Sequence, residues 1–346
     1  MESDQMVGTD AAASPVAGPP GLVLRSYAGE ADIPEMVRIQ NAEWEADGLD
    51  YRETIGDQLA FLGHPSEHFD PARDLTIAEI DRRMVGHARR DWVDTNDGLR
   101  EYRTRGAVDP AWRRRGIGGA LLADNERRLA ALAATHDVES PRWLGTYAYS
   151  RYAGATALAE RSGYRQARWF FDMQREGLQH DLPELPPLRD GIEVRPILTE
   201  QLLTFWHADI EAFRDHWGGG DDSDEAFRRY QDAPHFDPSL WVVAWDGDEV
   251  AAGVVNSIYE NENLETGLKR GWLDSVFTRR AWRRRGLASA LIARSLHALA
   301  ARGIETAALG VDADNPSGAL GLYESFGFAV TQRMAAWRKP MDGANA

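Results

Sequence analysis

Apolar residues at Leu287, Leu291, Ile292, Leu296 and Leu299 keep the spacing of one helical face, and they predict a helix opening near residue 286. Ile117, Leu121, Leu122 and Leu129 repeat that pattern far earlier in the chain. Ahead of each helix lie three runs rich in β-branched and aromatic residues. In the later block they are 240–245, 249–258 and 271–278; in the earlier one, 75–80, 84–91 and 102–108. The tetrapeptide DGDE at 246–249 predicts a hairpin turn between two of them. Behind each helix the pattern reads as a strand, a short loop, a second helix, a Gly-aromatic turn and a final strand. The predicted class is α/β, a mixed α+β sandwich built as two tandem copies of one fold, each a mostly antiparallel central sheet flanked by helices.

The repetition is explicit in the residues. Trp112 to Gly116 and Trp282 to Gly286 are the same five residues, WRRRG, at an offset of 170. Residues 1–21 are small, polar and rich in Pro and Gly, and they predict a flexible tail. Pro183, Pro186 and Pro187 mark 179–190 as an extended linker. The expected domains are therefore 22–178 and 191–346.

Composition narrows the chemistry. The chain of 346 residues has no cysteine, which excludes disulfides, cysteine-ligated metal and a cysteine nucleophile. A formal net charge of −16 argues against nucleic acid or an anionic membrane as partner. No apolar run approaches the ~18 residues of a membrane helix, and the start of the chain lacks the basic and apolar blocks of a secretory signal. A cytoplasmic protein, monomer or homodimer, is expected. His207, His216 and His235 are too irregularly spaced to suggest a metal site. The loop at 215–225, with Gly218 to Gly220 and several acids, is expected to be mobile and to cover a cationic acceptor.

Arg283, Arg284 and Arg285 stand immediately before Gly286, Leu287 and Ala288. The first turn of a helix carries unpaired N–H groups and partial positive charge. Small residues at 286 and 288 admit a phosphate close to that backbone, and arginines add forked donors. The result is an anion cradle suited to a pyrophosphate. It is not a P-loop, since no Gly-Lys-Ser/Thr follows, and it lacks the G-x-G-x-x-G dinucleotide fingerprint.

Arg283-x-x-Gly286-x-Ala288 and Arg113-x-x-Gly116-x-Gly118 resemble the acyl-CoA signature of the Gcn5-related N-acetyltransferases, the GNAT superfamily. Asn315, Leu322, Tyr323 and the Phe326-Gly327-Phe328 turn are similar to that family's second motif. The tandem layout resembles the mycothiol-synthase-like branch. The resemblance implies an enzyme transferring an acetyl group from acetyl-CoA to a primary amine, most simply of a small molecule. Val276, Phe277 and Thr278 would offer backbone to the pantetheine arm. Backbone N–H groups of Arg284, Arg285, Gly286, Leu287, Ala288 and Ser289 would hold the pyrophosphate, with Asn315 on the cofactor arm. Tyr323 would protonate the departing thiolate as general acid.

In the first copy Val108, Arg113, Arg114, Arg115, Gly116, Gly118 and Gly119 would form the matching cradle. Ala159 stands where Tyr323 stands in the second, so that copy is expected to be degenerate, binding CoA without turnover or serving structure alone. Tyr147, Tyr149 and Tyr152 are the relocated donors it offers. For the general base, the position that several relatives fill with Glu is Trp272 here. Asp274, expected by strand alternation to share the face of Val276, and Glu262, with Glu260 and Glu265 in the acidic segment around it, are the candidates. Two other functions stay open: a CoA-binding sensor or scaffold without turnover, and an acyltransferase acting on a thiol-sugar amine or a protein or peptide amine.

Overall fold

A computed structural model of the chain describes residues 18–315 and 318–341. Most of the predicted N-terminal tail, residues 1–17, and Pro316 lie outside the described residues. The first half runs β1 (Leu22–Ser26), α1 (Ile33–Ala46), α2 (Ile55–Leu62), α3 (Pro71–Asp74), β2 (Leu75–Ile80), β3 (Arg83–Asp94), β4 (Arg100–Val108), α4 (Ile117–Ala133), β5 (Arg142–Tyr149), α5 (Ala153–Arg161) and β6 (Arg165–Arg175). The second half repeats the order but, among the described residues, lacks a counterpart of α3 and adds a short helix before its fourth strand. It comprises β7 (Ile192–Val194), α6 (Leu202–Phe213), α7 (Asp224–Gln231), β8 (Val242–Asp246), β9 (Glu249–Ser257), α8 (Glu260–Thr266), β10 (Arg270–Thr278), α9 (Leu287–Ala301), β11 (Thr306–Asp312), α10 (Ala319–Ser325) and β12 (Ala329–Pro340).

The strands join into one twelve-stranded sheet in the order β1-β2-β3-β4-β5-β12-β6-β11-β10-β9-β8-β7. The two halves have exchanged their final strands. β12, the end of the second half, pairs antiparallel with β5 of the first, and β6, the end of the first, pairs antiparallel with β11 of the second. β6 and β12 pair with each other at the centre. Ion pairs fix the exchange. Arg338 on β12 reaches Glu101 at 2.5 Å and Asp97 at 2.6 Å, and Arg168 on β6 reaches Asp312 at 2.8 Å. The Arg338–Glu101 pair is buried, so removing one partner would leave an uncompensated charge.

Helices cover both faces. Leu287, Leu291, Ile292, Leu296 and Leu299 of α9 are all buried in one cluster with β10, β11 and Tyr323, as their spacing predicts. Each such side chain contributes ~1.5–3 kcal/mol on burial. On the other face of the second half, α6 and α7 pack Phe205, Phe227 and Tyr230 against Trp241, Val255 and Phe277. The 246–249 turn closes the β8–β9 hairpin with Gly247 at φ 60°, a conformation glycine adopts without cost. The Pro-rich segment lies along α9, where Pro183 and Pro186 carbonyls accept from His297 and Arg294.

Candidate active site

β10 and β11 are parallel neighbours only from Arg270 to Trp272, opposite Thr306 to Ala308. Beyond that they part. Among the described residues no ladder joins Val276, Phe277 and Thr278 to β11, which leaves a wedge between the two strands. Val276 packs into the α9 cluster while Phe277 is buried on the α6 face. Thr278 has a buried Oγ1 with no hydrogen-bond partner among the described residues.

At the end of the wedge the chain turns into α9. Arg284 takes φ 60° and Gly286 φ 78°, both left-handed, immediately before the first helical residue, Leu287. Alternation of this kind turns successive N–H groups to one side and makes an anion-binding concavity at a helix start. A left-handed Arg costs ~1–2 kcal/mol, so the conformation is over-determined by its surroundings. Arg283 supplies part of that: its guanidinium donates to the carbonyls of Thr278 and Ala212 and pairs with Asp215 at 2.8 Å. Arg284, Arg285 and Gly286 are exposed, and neither of these two arginines has an ion pair among the described residues. Leu287 turns inward, while Ala288 and Ser289 stay half-buried at the rim.

Behind β10, on the α6–α7 side, lies a cavity of about 200 Å³ walled by Trp206, Phe227, Tyr230 and Trp241. Its floor carries Asp209, Asp274 and Ser275. Strict alternation predicts Asp274 on the face of Val276; the structure corrects this. A β-bulge between Leu273 and Ser275 inserts Asp274 as an extra residue against β9, so it and Ser275 both line the cavity while Val276 packs on the opposite face. Solvent reaches Asp274 through this recess, yet protein crowds it closely enough to raise its pKa through desolvation, against hydrogen bonds from Ser257 and Tyr259. Asp209 on α6 accepts from Ser275 Oγ at 2.6 Å, and burial pushes its pKa up to about 6.

Glu262, the other carboxylate candidate, is held elsewhere. It is buried on α8 in an ion pair with Arg270 at 2.8 Å and accepts from Trp272 Nε1 and the Arg52 N–H. It lines a separate recess of about 280 Å³ between the halves, with Asp57, His235 and Arg302. Arg302 caps the far end of α9, ~22 Å along that helix from the cradle.

Tyr323 on α10 is buried against Phe328, ring centroids 6.1 Å apart. Burial pushes its pKa up to about 12, so the phenol keeps its proton at neutral pH. α10 begins at Ala319 behind Gly318, later than an Asn315 cap predicts, and the Asn315 carbonyl instead accepts the Gly318 N–H at 3.2 Å in the preceding turn.

The first half repeats the cradle. Arg114 has φ 65° and Gly116 φ 90°, Arg113 is held by Asp47 and Glu43, and Arg114, Arg115 and Gly116 are exposed. β4 and β5 likewise part after Arg103, short of Val108. Gly118 and Gly119 sit half-buried on the first turn of α4. Two differences stand out. Pro19 Cδ lies 3.9 Å from where a Cβ on Gly116 would project, whereas among the described residues nothing beyond the chain neighbours lies within 4 Å of the matching position on Gly286. The β3–β4 ladder also runs without a bulge.

Residues 203–328 match the family model described as the acetyltransferase (GNAT) family. The chain is 30% identical to a mycothiol acetyltransferase of Salinispora arenicola over 86% of this chain and 90% of that protein. The chain belongs to the GNAT acetyltransferase family. A mycothiol acetyltransferase of Geodermatophilus obscurus is 29% identical over 79% of this chain and 85% of that one. Among solved structures, a GCN5-related N-acetyltransferase from Sphaerobacter thermophilus superposes with a TM-score of 0.68 at 24% identity, covering 94% of this chain and 97% of that one. A tandem GNAT protein from the clavulanic acid biosynthesis pathway does so with 0.68 at 16% identity, covering 94% and 99%. Both share the fold. The protein is thus a GNAT-type N-acetyltransferase with two tandem GNAT folds.

Within this GNAT frame, Asp209 is a cavity-lining carboxylate that the sequence reading does not name. The 215–225 loop is also placed differently from expectation. Asp215 pairs with Arg280 and Arg283, Trp217 packs on Phe170 and under Arg338, and Gly218 and Gly219 carbonyls accept from Asn96 and Arg103 of the first half. The loop therefore clasps the two halves together. Among the described residues no helix is long and apolar enough to cross a membrane.

Proposed function

We propose that the second half transfers an acetyl group from acetyl-CoA to a primary amine of a small molecule. The observation that carries this reading is the open left-handed turn at Arg284 and Gly286, exposed at the mouth of the β10–β11 wedge, where Arg284 and Arg285 have no ion pair among the described residues. The orphaned Thr278 Oγ1 beside it fits a ligand with polar groups along the wedge. The backbone from Arg284 to Ser289 would hold the pyrophosphate. Val276, Phe277, Thr278 and Asn315 would hold the pantetheine arm. Acetyl-CoA supplies an activated acetyl thioester. The chain supplies two proton operations: the Tyr323 hydroxyl gives a proton to the departing sulfur, and a carboxylate of the aromatic cavity, Asp274 or Asp209, takes one from the amine. Glu262, bound to Arg270, is better suited to fixing the wall of the recess between the halves.

Residues 22–178 and 191–346 are the two units of this reading, joined by 179–190. The first would bind CoA poorly and not turn over, because Pro19 approaches its cradle and a buried Ala159 replaces the phenol. A thiol-sugar amine is the second acceptor reading, favoured by the names of the mycothiol acetyltransferase relatives. Calorimetry with CoA tests the whole. One site per chain is expected, abolished by Gly286→Asp, which places charge and bulk against the pyrophosphate; absence of heat from the unaltered protein would overturn the reading.

A further inference from the structure

The aromatic cavity behind β10 specifies more than an amine. We propose that this cavity seats an arylalkylamine acceptor, one flat ring on a short chain, and that Asp209 takes the proton from its ammonium group, a role that rests on the acetyl-transfer reading.

Size selects the ring. A cavity of about 200 Å³ compares with the ~150 Å³ apolar cavity that holds benzene, so one ring and a short chain fill it. Shape agrees: Tyr230 stacks on Trp206 at 5.7 Å and on Trp241 at 5.9 Å, both with nearly parallel planes, which gives flat walls. Charge selects the ammonium. Among the described residues that line the cavity there is no Arg, Lys or His, while Asp209 and Asp274 both act on the Tyr230 phenol from the floor. Ring faces and carboxylates together favour a cation with an apolar body.

Position selects Asp209 as the proton acceptor. Its partner Ser275 directly precedes Val276, the start of the wedge segment, and Asp209 is half-buried whereas Asp274 is exposed. The groups that face Asp209 are Ser275 and Asp274 from β10 and Tyr230 from α7. Burial raises its pKa and the Ser275 hydrogen bond opposes that rise, leaving a carboxylate that is ionised at neutral pH and more basic than a surface Asp. The ammonium gives one proton to Asp209 and on to solvent. The nitrogen then bonds the acetyl carbon as the carbon–sulfur bond breaks. The surplus proton left on nitrogen replaces the one that Tyr323 gives to sulfur.

The test compares phenethylamine, benzylamine, glucosamine and cysteinyl-glucosamine at saturating acetyl-CoA from pH 5 to 9. Expected is kcat/KM at least ~10-fold higher for the arylalkylamines, with an ascending limb near pH 6. Asp209→Asn should remove that limb and lower kcat/KM ~10²–10⁴-fold, Asp209→Glu should restore part of it, and Asp274→Asn should raise KM while keeping the limb. Phenethylamine should also quench tryptophan fluorescence without acetyl-CoA present. Preference for the glucosamine compounds, an unchanged limb in Asp209→Asn, or no quenching overturns the proposal. CoA calorimetry on the same preparations separates the two readings: a variant that binds CoA but keeps its limb sinks only this one, and the quenching experiment decides the cavity even where CoA does not bind.

Discussion

Asp209 has a cost in stability that can be measured without any substrate. Its pKa rises from an ordinary 3.8 to about 6 in the folded chain, chiefly through burial. A folded-state pKa above the unfolded one means that the native state holds its proton more tightly. The associated stability is fully present below pH 3.8 and is lost as pH rises through about 6. Each tenfold change in acidity is worth about 1.4 kcal/mol, so ionising Asp209 costs the folded state ~3 kcal/mol at pH 7.5. Asp209→Asn removes that cost and keeps an oxygen to accept from Ser275 Oγ. Urea unfolding should find the variant more stable by ~3 kcal/mol at pH 7.5 and equal to the parent at pH 4. Equal stabilities at both pH values would show that Asp209 ionises freely, and the buried carboxylate would have to be abandoned. A stabilised but slow variant is what a proton-accepting site under strain yields on neutralisation.

The Tyr323 hydroxyl has no hydrogen bond to another described residue and its ring packs on Phe328, so Tyr323→Phe should leave the unfolding midpoint nearly unchanged. The same variant should lower kcat ~10–1000-fold without weakening CoA affinity, and unchanged turnover would remove Tyr323 from the proton-donor role. Arg338→Met should destabilise the protein by ~3–5 kcal/mol by stranding Glu101 in the core, and Glu101→Gln in the same chain should recover part of that loss. Loss below ~1 kcal/mol by calorimetry would mean the exchanged strand is not anchored there.

Periodic features were readable before the structure. The α9 face follows its 3.6-residue spacing, and the cradle follows from a five-residue string present twice. The β10 strand begins one residue from its predicted start. Three features left no such mark. A bulge is one inserted residue, and alternation around Asp274 reads equally well with or without it. Asp209 lies within the mostly apolar LLTFWHADIEAF helix, and its partner Ser275 is 66 residues away, so neither predicts the other. The strand exchange is invisible because local pattern fixes which face a strand buries, not which neighbour it takes.

The same bulge separates the two copies of the fold. In the second half it places Asp274 and Ser275 side by side on the cavity floor opposite Asp209. In the first half the ladder is unbroken, and the position matching Ser275 is Arg105, paired across the strands with Arg89. Arg89 is lowered in pKa chiefly by burial and then by Arg105 and Arg103, with the carboxylates of Asp91 and Glu53 opposing. The first half cannot simply be lost, however, because its β6 lies between β12 and β11, and β11 forms one side of the second half's wedge. Strand exchange thus makes the second half's sheet depend on the final strand of the first.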